Sequence, residues 1–123
     1  MREILFRGKA IDDNWYYGVP LVFTEDYVCM TAPHTYNKAV IPETVGQYTG
    51  LTDKNGKKIF EGDIVKWNIN FAIVWQDCKF VIKKDLISKA YDYVLSCFDG
   101  TEFEVIGNIH DNSELMKEKS NER

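Results

Sequence analysis

At 123 residues, with 45% hydrophobic and 28% charged positions, the chain has room for one domain with an unstapled core and too much apolar content for global disorder. A net charge of -4 argues against a strongly basic nucleic-acid binder, and no run nears the roughly 20 apolar residues that a membrane-crossing helix needs. The opening apolar run, Ile4 to Phe6, is too short for a secretory signal. Cys29, Cys78 and Cys97 are odd in number and form no C-x-x-C pair, which fits a reducing cytoplasm with the thiols packed as small buried hydrophobes.

In chain order, Val, Ile, Phe, Tyr and Trp recur in short runs cut by Gly, Pro, Asn and Asp, the spacing of strands and turns. The N-terminal half predicts strands at Glu3 to Arg7, Trp15 to Gly18, Leu21 to Thr24, Tyr27 to Thr31 and Val45 to Thr49. The C-terminal half predicts them at Ile64 to Asn68, Ala72 to Gln76, Phe80 to Lys83, Tyr93 to Phe98 and Phe103 to Ile109.

Between these halves lies "VGQYTGLTDKNGKKIFEGDIV", Val45 to Val65, whose glycines are spaced to bend the chain twice. Asn55-Gly56 suits a tight hairpin turn of the primed type, or a type I turn followed by a glycine bulge. Gly62-Asp63 makes a second reversal, after which Val65 and Trp67 share one face of a strand. Asp99-Gly100 repeats the device, and Leu86 to Tyr91 reads as a short helix or a loop. Asn112 reads as the N-cap of a short C-terminal helix with Glu114 in its first turn and Lys117 and Lys119 at its close, before a frayed tail over 120–123.

The expected fold is therefore mainly β. Residues 46–119 would form a small SH3-type barrel with a closing helix, and residues 1–45 extra strands packed on it. Candidate core residues of the barrel are Ile64, Trp67, Ile73, Trp75, Phe80, Ile82, Val94, Phe98 and Val105.

Three stretches, "MREILFRGK", "VGQYTGLTDKNGKKIFEGDIV" and "VIGNIHDNSEL", resemble the YopX family of small proteins encoded by bacteriophages and prophages. This chain has Ser113 where family members often have proline. The resemblance implies a β-rich fold containing an SH3-type barrel, and a phage accessory protein in the cytoplasm of the bacterial host with no assigned reaction.

Catalytic grammar is sparse. No phosphate-binding glycine loop, dinucleotide fingerprint or H-E-x-x-H occurs, so neither cofactor nor catalytic residue is assigned. Cys29, His34, Cys78, Cys97 and His110 lack the short ligand pairs of a structural zinc site, so no metal site is assigned either; a Cys97-His110 nucleophile would require the fold to bring the two together. Glu61 and Asp63 flank Gly62, where Asp63 is expected to hold the turn and Glu61 to face water.

Residues 51–90 carry eight lysines against five acids, whereas residues 91–123 carry eight acids against three basic residues. Lys54, Lys57, Lys58, Lys66, Lys79, Lys83 and Lys84, interleaved with Trp67, Trp75 and Phe80, form the candidate nucleic-acid face. Trp15, Tyr16, Tyr17 and Phe23 form the candidate protein-contact patch, and the leading expectation is a non-enzymatic protein that contacts itself, as a homo-oligomer, or a host or phage protein.

Overall fold

The computed structural model describes residues 3–31 and 37–117. They form two antiparallel sheets, with 3-10 turns and no α-helix among the described residues, and the chain divides into two compact units, Met1–Gly50 and Leu51–Arg123.

In the first unit β1 (Phe6–Lys9), β2 (Trp15–Phe23), β3 (Val28–Thr31) and β4 (Lys38–Val40) follow one another as a meander, and β5 (Gly46–Thr52) begins beside β1. The sheet curls until the Ile41 amide donates to the Lys9 carbonyl at 2.8 Å. Thr44, in the 3-10 turn Pro42–Thr44, fastens the curl through its hydroxyl, which accepts from the Lys9 amide at 2.8 Å. Inside it Ala10, Val28, Met30 and Val40 are buried, with Phe6, Tyr16 and Val45 packed against them. Gly8 is required by this approach, because a Cβ there would lie 2.5 Å from Val40 Cγ2.

β2 runs unbroken through Pro20, where the sequence suggested two strands. Its first half pairs with β1, which ends at Phe6 opposite Gly18, and its second half pairs with β3. Pro20 thus lies beyond the β1 ladder, where its missing N–H costs little. A bulge between Pro20 and Val22 shifts the register against β3.

In the second unit β6 (Lys58–Phe60) follows the Asp53–Lys57 turn. Then β7 (Asp63–Trp67), β8 (Ile69–Gln76), β9 (Lys79–Lys83) and β10 (Tyr93–Val94) form a meander, and after a 3-10 turn at Leu95–Cys97 β11 (Glu104–Asn108) returns beside β7. The order β10-β9-β8-β7-β11 leaves β10 and β11 as edges, so this sheet is open and not closed as a barrel.

Its core is Ile59, Val65, Phe71, Ile73, Ile82, Leu95 and Phe103. Trp67 packs against it with ring centroids 5.7 Å from Phe103 and 5.2 Å from Phe98, in edge-on geometry that suits aromatic quadrupoles. Val65 and Trp67 share this face, as the strand period requires. Trp75, expected in the core, is 49% exposed and instead packs edge-on to its register partner Phe80 at 4.8 Å.

The turns sort by chemistry. At Asn55-Gly56 only the glycine has positive φ, +82°, and the Gly56 amide donates to the Asp53 carbonyl while the Asp53 amide donates to the Lys57 carbonyl. This is the type I turn with a glycine bulge. The primed turn falls at Asp77-Cys78, with φ of 55° and 64°, a position the sequence did not advertise because no glycine occupies it.

The expected C-terminal helix is the single 3-10 turn Ser113–Met116. Asn112 does not cap it through its side chain; its Oδ1 accepts backward from the Asn108 amide at 3.2 Å. Lys119 and the tail 120–123 lie outside the described residues, and Leu86 to Tyr91 is a loop.

Candidate functional site

The two buried carboxylates of the turn-rich stretch are committed to backbone. Asp53 is 3% exposed; its Oδ1 accepts from the Asn55 and Lys57 amides at 2.9 and 2.8 Å, and its Oδ2 from the Val105 amide at 2.9 Å. Burial pushes its pKa up, but the three amides and the nearby Lys57 charge outweigh burial and hold it below the ordinary value. Asp63 is buried and accepts from the Phe60 amide at 2.7 Å, while Gly62 donates to the Ile73 carbonyl and accepts from Ile109. Glu61 is half-buried. This geometry joins turns to strands.

The thiols are not the buried hydrophobes the sequence suggested. Cys78 and Cys97 are exposed and Cys29 is half-buried, because Cys78 forms the tip of the β8–β9 hairpin and Cys97 ends a surface 3-10 turn. His110 is exposed on the turn after β11, and His34 lies outside the described residues. Among the described residues no group of three His, Cys, Asp or Glu side chains is placed to hold a metal ion, and no helix is long and apolar enough to cross a membrane.

Of the N-terminal aromatic patch, Tyr16 faces the first core and Trp15 lies on the other side of the strand, partly covered. Trp15 is half-buried, with the Arg7 guanidinium 4.8 Å from its ring centroid. Tyr16 packs on the first core, the Lys38 ammonium lies 5.0 Å from its ring, and its hydroxyl donates to Asp12 at 2.7 Å. That donation, with the Asn14 amide, holds the Asp12 carboxyl below its ordinary range.

Tyr17 and Phe23 face solvent, 48% and 68% exposed, and the fold adds Val19, Leu21, Val22 and Tyr27, which sequence reading missed. The reason is the register. Val22 stands opposite Cys29 and Cys29 opposite Ala39, so three strands contribute apolar groups to one outward face, while Phe23 stands opposite buried Val28 and is exposed on the other side at the end of β2. The alternation that should have made these positions polar is absent from "WYYGVPLVF", and that absence was the readable signal.

The lysines do not make one face. Lys83 is 4% exposed; its ammonium donates to the Gln76 side chain at 3.0 Å and to the Ser88 carbonyl, tying the 84–90 loop to β8. Lys79 lies 5.0 Å over Tyr91. Glu104 stands opposite Lys66 in the β7–β11 ladder, with its carboxylate 3.9 Å from the Lys54 ammonium, so an acid interrupts the basic set. Lys57 and Lys58 are exposed on the turn before and the start of β6.

Lys66 and Lys84 do converge, together with Lys117, on a groove of the second unit. The 84–87 loop forms one wall and the Ser113–Met116 turn the other. The Asn70 side-chain amide anchors the far wall by donating to the Leu115 carbonyl at 2.9 Å.

Together these features define a mainly β protein of two antiparallel sheets that carries an apolar hairpin face and a lysine-lined groove. The chain belongs to the YopX family: the profile described as "YopX protein" matches residues 6–117. In fold it is similar to the crystal structure of protein EF1440 from Enterococcus faecalis, with a TM-score of 0.59, 24% identity, and 95% of this chain and 100% of that chain covered. No curated protein matches the chain.

Proposed function

We propose that this protein is a non-enzymatic accessory protein of a phage or prophage, working in the bacterial cytoplasm through protein contacts, with a second copy of itself as the first partner. The observation that carries the reading is the exposed apolar surface of the β2–β3 hairpin, where Tyr17, Val19, Leu21, Val22 and Tyr27 are each 40% or more exposed and Phe23, the last residue of β2, is 68% exposed on the side of Val28. Exposed apolar surface of this kind gains free energy when a partner removes it from water, at about 25 cal/mol per Å². The SH3-type reading of the second unit draws support from its strand order, a meander followed by a 3-10 turn and a last strand returned beside the first.

Two features favour protein contacts over nucleic acid. The basic set is broken by Glu104 and by the burial of Lys83, and Trp67, the aromatic nearest Lys66 in sequence, packs on the core instead of facing solvent for stacking. The non-enzymatic part is supported by the commitment of Asp53 and Asp63 to backbone amides. Capture from the lysogenic host with wild-type and Leu21→Ser/Phe23→Ser baits tests the reading. A second, differently tagged copy should return with the wild type and be lost with the variant; equal recovery by the two baits overturns it.

A further inference from the structure

We infer that the groove between the 84–87 loop and the Ser113–Met116 turn receives a short acidic peptide segment bearing aliphatic side chains. Three lysines, Lys66, Lys84 and Lys117, line it. Among the described residues none of them takes part in an ion pair, whereas Lys9, Lys38 and Lys54 each sit within 4 Å of a carboxylate. The lining contains one carboxylate, Asp85, and Glu104 stands opposite Lys66 in the β7–β11 ladder with its carboxylate 3.9 Å from the Lys54 ammonium, so the three lysines still outnumber the acid of the groove. In a chain of net charge -4 the groove is thus a local positive site, and an anionic partner complements it.

The rest of the lining decides which anion. Leu86 and Ile87 on one wall and Leu115 and Met116 on the other are aliphatic or thioether side chains, and Ile69 is also in the lining. Ile87 is 95% exposed, Ile69 51% and Leu86 39%. Exposed nucleobases are held by stacking on aromatic faces, and this groove has none. Leu, Ile or Val side chains of a peptide fit those walls, while its Asp and Glu residues meet the lysines at the rim.

The test is a selection of short random peptides displayed against the full chain, in parallel with the Lys66→Glu/Lys84→Glu/Lys117→Glu variant. All three lysines are exposed, so the variant keeps its fold, which circular dichroism verifies. Peptides in which Asp or Glu alternates with Leu, Ile or Val should be enriched on the wild type. A selected peptide should bind the variant about tenfold or more weakly, as the loss of three exposed charge pairs implies. It should also shift the amide resonances of Ile69, Leu86 and Leu115 and weaken as salt is raised. The inference is overturned if no acidic peptide is enriched, if enrichment is equal on the variant, or if the shifts map elsewhere. It is also overturned if an oligothymidylate displaces the selected peptide and binds more tightly than it does.

Discussion

Asp53 shows what a single side chain contributes here: one buried carboxylate ties its own turn to β11. Replacing it with Asn keeps the volume but sets an amide donor against at least one backbone N–H, at a cost of about 2 kcal/mol near neutral pH. The sign with pH follows from the direction of the shift. The folded pKa lies below the ordinary 3.8, so the ionised form stabilises the fold above that value, and the contribution fades as pH falls through the folded pKa. Urea unfolding should therefore show the gap between wild type and Asp53→Asn largest near neutral pH and shrinking below about pH 3.8. Cys78 works in the opposite direction. It occupies the second position of a primed turn with φ of 64°, a region that glycine enters freely, so Cys78→Gly should raise stability by about 1 kcal/mol and lift the thermal midpoint. Sequence reading identified the role of Asp63 because a Gly-Asp pair in a turn-rich stretch advertises it. It gave Asp53 no role, since the partner that matters, Val105, is remote in sequence. Lys83 failed for a related reason: a lysine among lysines reads as surface until a loop closes over it.

At the scale of elements, two Asx-Gly turns that look alike in sequence carry different loads. Gly56 has open space where a Cβ would go and a φ of +82°, whereas a Cβ on Gly100 would meet the Thr52 carbonyl oxygen at 2.3 Å with φ at +99°. Gly56→Ala should cost about 1 kcal/mol of left-handed strain, and Gly100→Ala roughly 2–4 kcal/mol because backbone has to move as well. Chemical denaturation of the two variants side by side checks the ordering; equal costs would contradict the close approach. Most strands were legible because β-formers between turn residues leave few other options, as "IVKW" after Gly62-Asp63 illustrates. β4 was missed, since Lys38–Val40 is too short to show a period, and Tyr93 to Phe98 was read too long because the 3-10 turn at Leu95–Cys97 uses the same residue types. The terminal helix was overread: Asn112 offers the right side chain for a cap, but the fold spends it on Asn108.

For the molecule as a whole, the family was legible in the three quoted stretches, and the β class in the distribution of turn residues. The closed barrel was not, because closure depends on the pairing of edges, and β10 has two residues with which to pair. The exposed apolar surface of the hairpin was half legible. The sequence pointed at four aromatic residues of the first unit, and the register then divided them, turning Tyr16 to the core, leaving Trp15 half-buried beside Arg7, and adding the exposed aliphatic residues Val19, Leu21 and Val22 to Tyr17. Which side of a strand is covered is decided by what the sheet curls over, and that is a property of the fold. The central claim is the proposal that the exposed apolar residues of the β2–β3 hairpin are buried between copies of this chain in solution. Sedimentation velocity of wild type and Leu21→Ser/Phe23→Ser, run from low to high micromolar concentration, tests it most directly. The wild type should shift toward a dimer or larger species as concentration rises, while the variant stays monomeric with an unchanged circular dichroism spectrum. A wild type that sediments as a monomer throughout, or a variant that associates as strongly as the wild type, would contradict it.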